Sequence, residues 1–447
     1  MKLLGKLKTY SASELEKTRV GIGFECYDRD LFTPEKCYDV AAAMGTKFVR
    51  VQTGWARTEK EKGVYDFSWL DDMVDNLISR GMIPWFNVGF GNPIYMDDVR
   101  NSTAVGCVPI HYGEECLKAW INYVKAMTQH YKDRITYFEI WNECDISHFW
   151  YPKTPNAEEL ATLIKITGDA IKEVKPEAQI GTCLSNTQPD YFYKLFTHLS
   201  PENIDFYCCH NYDRYPEKSI RTENHAMARR IMNELGFEKV KMWMGECGHA
   251  SWHPVGHGQC KAGGGNEYRQ AIWHLRRVFH DLKDGMELTS LFMIVDLWEK
   301  PYEKAVEVLT KPAAQGLLHG ITYTPKLTVK GVTNAATVLS GDNEICEPFG
   351  RIVRRFGVKN EDTLNTTVNF KHNGKKVMAY WLTVPIEEEP VKDAGCFFPM
   401  NPMHKIKEPV CIDMLTGEVY ERESLEEAYP IKEYPMLICE KDAYEFE

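Results

Sequence analysis

Short apolar runs alternate with amphipathic stretches through the first three quarters of this 447-residue chain, and that rhythm constrains its fold more than any other feature. The runs "RVGIGFE" (19–25), "FVRVQTG" (48–54), "IPWFNVG" (83–89) and "ITYFEIWNE" (135–143) read as strands. So do "QIGTCLS" (179–185), "IDFYCCHNY" (204–212), "VKMWMGEC" (240–247) and "SLFMIVDLW" (290–298). Between them lie stretches with helical spacing, such as "WLDDMVDNLISRG" and "EECLKAWINYVKAMTQHYKD", several of which end in Gly, as helix C-termini often do. Continuous apolar strands separated by helices imply a parallel sheet buried on both faces. Eight such units predict a (β/α)8 TIM barrel. The competitor, an open doubly wound sheet, usually carries a glycine-rich phosphate loop after its first strand, and "GIGFECYDRD" breaks that spacing.

The texture changes after "KLTVKGVTNAATVLSG" (326–341), which reads as the last barrel helix. Beyond it come short alternating runs and turn signals such as "KHNGK" and "LTGE", the pattern of an antiparallel β-sandwich. The expected domains are a catalytic barrel over 1–343 and a β-sandwich accessory domain over 344–447, with residues 1–15 able to join the latter.

Composition excludes several classes of partner. The formal charge of −11, spread along the chain, argues against nucleic acid and anionic membrane surfaces. No apolar run approaches the ~18 residues that span a bilayer. The N-terminus returns to charge after Leu3-Leu4, so no signal-peptide core is expected and the reading is a cytoplasmic protein. It is compatible with a monomer or a homo-oligomer. The 14 cysteines are scattered without a CxxC pair; Cys183, Cys208, Cys411 and Cys439 sit in apolar runs and read as reduced core residues, not as zinc ligands.

In a barrel of this kind the active site lies at the C-terminal ends of the strands. The tips expected here carry Glu25, then Arg50 and Gln52 followed by Trp55, then Asn87, then Asn142-Glu143. The later tips carry His210 and Tyr212, Glu246, and finally Asp296 and Trp298. Carboxylates, amides and aromatics at one rim suit a sugar. Glycosidic hydrolysis needs one acid at the leaving oxygen and a second carboxylate at the anomeric carbon. Strands four and seven face each other across a barrel, so Glu143 and Glu246 are the expected pair. A dry pocket or neighbouring charge is expected to raise the acid's pKa, with Arg50 holding its partner ionised. Trp298 offers a flat face for a sugar ring. Glu25, Gln52, Trp55 and Asn87 are candidate sugar contacts. No metal is expected; His253, His257 and Cys260 fit a glycine-rich loop over the site better than a metal centre.

The segment "FEIWNECD", followed by Phe-Trp and a helix ending in "AIKEVKP", resembles the acid/base region of clan A glycoside hydrolases, most closely family 39 with its β-xylosidases and α-L-iduronidases. "VDNLISRGMIPWFNVG" is similar to that group's third unit, and "HNY" to its His-x-Tyr. Cys144 stands where clan members commonly have Pro. The resemblance implies a barrel with a β-sandwich and a retaining glycosidase without cofactor. It implies Glu143 as acid/base, Glu246 as nucleophile, Asn142 on the sugar 2-hydroxyl and Tyr212 on Glu246, with His210 and Arg50 supporting them. Small oligosaccharides or glycosides, cut at β bonds from one end, are the expected substrates. A transglycosidase and a non-catalytic carbohydrate-binding barrel are the alternatives.

Overall fold

A computed structural model describes residues 1–218, 220–252, 265–297, 314–358, 364–386, 390–398, 406–423 and 427–447. Strand β1 (Lys2–Lys6) precedes eight parallel strands: β2 (Val20–Gly23), β3 (Phe48–Gln52), β4 (Ile83–Val88), β5 (Tyr137–Ile140), β6 (Gln179–Leu184), β7 (Phe206–Asn211), β8 (Lys241–Cys247) and β9 (Leu288–Leu291). They close into a barrel in sequence order, with β9 pairing back on β2. Closure leaves no sheet edge exposed, and the connecting helices cover the outside.

Two of the expected strands differ at their ends. The fourth does not run to Glu143, because Trp141 and Glu143 both take positive φ (65° and 42°) and turn the chain out of the ladder after Ile140. The eighth spans Leu288–Leu291, so Asp296 lies beyond its tip, in an ion pair with the buried Lys326.

The remaining strands are β10 (Asn343–Ile345), β11 (Arg354–Phe356), β12 (Asn365–His372), β13 (Lys375–Leu382), β14 (Gly395–Phe397), β15 (Pro409–Asp413), β16 (Glu418–Glu421), β17 (Tyr429–Pro430) and β18 (Met436–Glu440). They form an antiparallel sheet ordered β1-β16-β15-β18-β13-β12-β10 and a small one ordered β11-β14-β17. The N-terminal strand is thus an edge strand of the C-terminal sheet. This sheet meets the barrel through a buried polar joint. Arg276, on the helix Glu267–Lys283, holds Glu217 through two nitrogens at 2.6 Å each, and Glu217 also accepts from the Trp381 indole of β13.

Inside the barrel the filling is layered. Trp85, Phe206 and Trp243 pack with Cys183, Cys208 and Leu288 as an apolar plug, with the rings of Phe206 and Trp243 stacked at 4.3 Å. The plug has a polar ceiling: the Trp85 indole donates to Glu139 Oε2 at 3.0 Å. A polar layer above such a plug is stable only if its groups satisfy one another.

Candidate active site

That layer is organised by Arg50, which is fully buried near the tip of β3. Its Nε and Nη2 clasp Glu139 of β5, Nη2 also donates to Asn142 Oδ1 at 2.8 Å, and Nη1 reaches Glu246 Oε2 at 2.8 Å and Glu25 Oε1 at 3.4 Å. All five guanidinium N–H groups are therefore directed at acceptors. Asn87 closes the layer, its Nδ2 donating to Glu139 and to the Trp141 carbonyl.

Glu143 and Glu246 stand above it. The Glu246 side chain is set by Arg50 on one oxygen and by the Tyr212 hydroxyl on the other. Glu143 Oε1 lies 2.9 Å from His210 Nδ1, and the same nitrogen is 3.5 Å from Glu246 Oε2. Glu143 Oε1 and Glu246 Oε2 are thus no further apart than the sum of those distances. Their side chains keep 14% and 13% exposure, whereas Arg50, Glu139 and His210 keep none, so these two carboxylates are the most exposed charged groups of the cluster. A cleft opens beside Glu246, lined by Glu25, Gln52, Asn142, Glu246, Phe90 and Phe292 among others.

The electrostatics differ from expectation at one point. Burial pushes the Glu143 carboxyl up, but the hydrogen bond and charge of His210 outweigh it and hold it below the ordinary glutamate range. Burial opposes charge on His210 too, yet Glu246 and the bond to Glu143 raise it. Both directions favour the proton on the imidazole over the carboxyl. Glu139 is burdened by burial and brought below its usual range by Arg50.

Several candidates have other places. Trp55 is not at the cleft: it is fully buried among Tyr95, Trp120 and Tyr123, with its indole on Glu59, so it is core. Asn87 is also fully buried and braces the layer below. Gln52 lines the cleft, but its Oε1 is taken by the Cys26 amide and Arg29. Trp298, His253, His257 and Cys260 lie outside the described residues.

The sequence does not single out Glu139, which lies inside the apolar run "ITYFEIWNE" (135–143). The signal was available in Arg50: a cation pointing into a barrel needs a buried counter-charge. Among the described residues, Glu139, Cys183 and His210 bring donor atoms within 4.8 Å of one another. Arg50 already occupies Glu139 there, and its charge would repel a metal ion.

A family model, Glycosyl hydrolases family 39, matches residues 35–258, half of the chain and the stretch that carries Arg50, Asn142, Glu143, His210, Tyr212 and Glu246. The chain belongs to glycosyl hydrolase family 39. The beta-xylosidase of Geobacillus stearothermophilus is 25% identical over 167 residues, which are 34% of this chain and 31% of that protein. The chain therefore aligns with about a third of that curated relative. In structure, a family 39 glycoside hydrolase from the gut symbiont Bacteroides cellulosilyticus WH2 superposes with a TM-score of 0.68 at 14% identity, covering 97% of this chain and 83% of the other. A GH30 endoxylanase from Clostridium papyrosolvens C71 does so with a TM-score of 0.59 at 11% identity, covering 98% of each chain. These superpositions establish the fold. Among the described residues, no helix of this family 39 chain is long and apolar enough to cross a membrane.

Proposed function

We propose that this protein is a retaining glycosidase that removes single sugars from small β-linked oligosaccharides or glycosides. The observation that carries the reading is the pair of accessible carboxylates on either side of one imidazole nitrogen, a placement compatible with the roughly 5–5.5 Å spacing of a retaining pair. Glu246 attacks the anomeric carbon while the bond to the leaving oxygen breaks and Glu143 protonates that oxygen. Water then attacks the glycosyl ester, Glu143 takes its proton, and Glu246 leaves as a carboxylate.

His210 makes this possible despite the low position of Glu143. Its proton is handed along the 2.9 Å hydrogen bond to Glu143 as the leaving oxygen draws on it. Esterification removes the Glu246 charge that helps hold His210 protonated, which favours release of that proton to the leaving oxygen, and the emptied pair takes the proton of water in the second step. Asn142, fixed by Arg50 and lining the cleft, supports the sugar 2-hydroxyl contact.

The test is release of nitrophenol from aryl α- and β-glycosides, with the β-xyloside first because the curated relative is a beta-xylosidase. Turnover of one β-glycoside is expected, with the first-formed sugar β by proton NMR and a loss of several orders of magnitude in Glu246→Gln. An α first product would overturn retention, and equal turnover by both proteins would remove Glu246 from the nucleophile's role. Turnover only with a sugar acceptor present would mark a transglycosidase.

A further inference from the structure

Arg50 faces more negative charge than it can balance. Its single positive charge meets three carboxylates, and Glu25 has the weakest claim. Only the long contact to Nη1, at 3.4 Å, reaches Glu25 Oε1, and the same nitrogen serves Glu246 at 2.8 Å. Glu25 is 1% exposed, and its Oε2 has no hydrogen-bond partner among the described residues. An ionised carboxylate so placed would lack water, lack a full counter-ion and stand beside a like charge. The side chain is nonetheless built into the cleft wall. It folds back over Gly23, where a Cβ would lie 1.8 Å from Oε2, and it lines the same space as Glu246 and Asn142.

We propose that Glu25 is kept as a neutral carboxylic acid and that its hydroxyl donates a hydrogen bond to the sugar in the cleft, a specificity contact distinct from the two reacting carboxylates. This rests on the glycosidase reading above. It also lies outside the family match, which begins at residue 35. Burial pushes the Glu25 carboxyl up to about 8, with Glu246 adding to it and Arg50 opposing. The other groups facing this corner are the Tyr212 phenol and, on its own loop, Cys26, Asp28 and Arg29. A neutral acid can donate where every nearby carboxylate can only accept, so it completes the polarity a sugar hydroxyl needs.

The experiment compares wild type, Glu25→Gln and Glu25→Ala. Infrared difference spectra at pH 7 are expected to show a protonated-carboxyl stretch in wild type that is missing from both variants. On the aryl glycoside that wild type turns over, Glu25→Gln keeps a donor that cannot ionise, so its alkaline limb of kcat/KM extends to higher pH. Glu25→Ala loses kcat/KM on the order of 100-fold. Absence of the band in wild type, with turnover intact, would overturn this proposal alone, as would an alkaline limb identical in wild type and Glu25→Gln. A band in wild type without turnover of any glycoside would overturn the donor role together with the glycosidase reading, while marking Glu25 as a proton's holder.

Discussion

Glu143 and Glu246 are chemically the same side chain, and their surroundings separate them. Glu246 is held by one cation and one phenol, whereas Glu143 is tied to an imidazole. This division predicts how Glu143→Ala behaves. General acid catalysis contributes about 10²–10⁴-fold, but only where the leaving oxygen needs a proton. Glu143→Ala should therefore lose most on an alkyl or sugar leaving group and least on a nitrophenolate. On the latter, added azide should restore turnover and give a β-glycosyl azide. A uniform loss across leaving groups, without azide rescue, would remove Glu143 from the acid/base role.

Strand tips supply the polar groups, and small residues decide where those groups sit. The end of β2 is the clearest case, because Gly23 leaves room for the Glu25 side chain to fold back along the strand. Gly23→Ala would place a Cβ on the carboxyl of Glu25, the far end of a movable side chain, so the barrel should still form while the carboxyl is displaced. The expected result is a thermal midpoint within a few degrees of wild type and a fall in kcat/KM matching that of Glu25→Ala. A fully active Gly23→Ala would show that the position of Glu25 is not set by the strand. At β5 the same principle acts through the backbone. Positive φ at Trp141 and Glu143 costs about 1 kcal/mol or more at each residue, and it turns Glu143 toward His210 instead of along the ladder.

Barrel and C-terminal sheet meet at Glu217, Arg276 and Trp381, and this joint should show in the pH dependence of stability. Arg276 and the Trp381 indole outweigh burial and bring the Glu217 carboxyl down to about 2. A carboxyl lowered on folding stabilises the native state above its unfolded value near 4.3 and loses that contribution as pH falls toward the folded value. Glu217→Gln should therefore be less stable than wild type by a few kcal/mol at pH 6, with the gap narrowing between about pH 4.5 and 3. Denaturant unfolding at several pH values checks this; a gap independent of pH would assign the loss to packing and not to charge.

Much of this molecule was legible along the chain. The alternation of apolar runs and amphipathic stretches specifies parallel strands under helices because each element must bury one side whatever its neighbours are. The eight-unit count then places residue types at one rim, and Glu143, Glu246, Arg50, His210 and Tyr212 follow from that placement. Contacts between elements are a different matter. Glu139 was hidden in an apolar run because its partner, Arg50, is 89 residues away. Trp55 looked like a rim aromatic until three other rings enclosed it. The proton on His210, and the neutral state proposed for Glu25, depend on distances of a few ångströms among charges from five strands' ends. Hydrophobic pattern is local and can be read residue by residue; the protonation of a buried cluster is a property of the whole cluster, and it exists once folding has brought the cluster together.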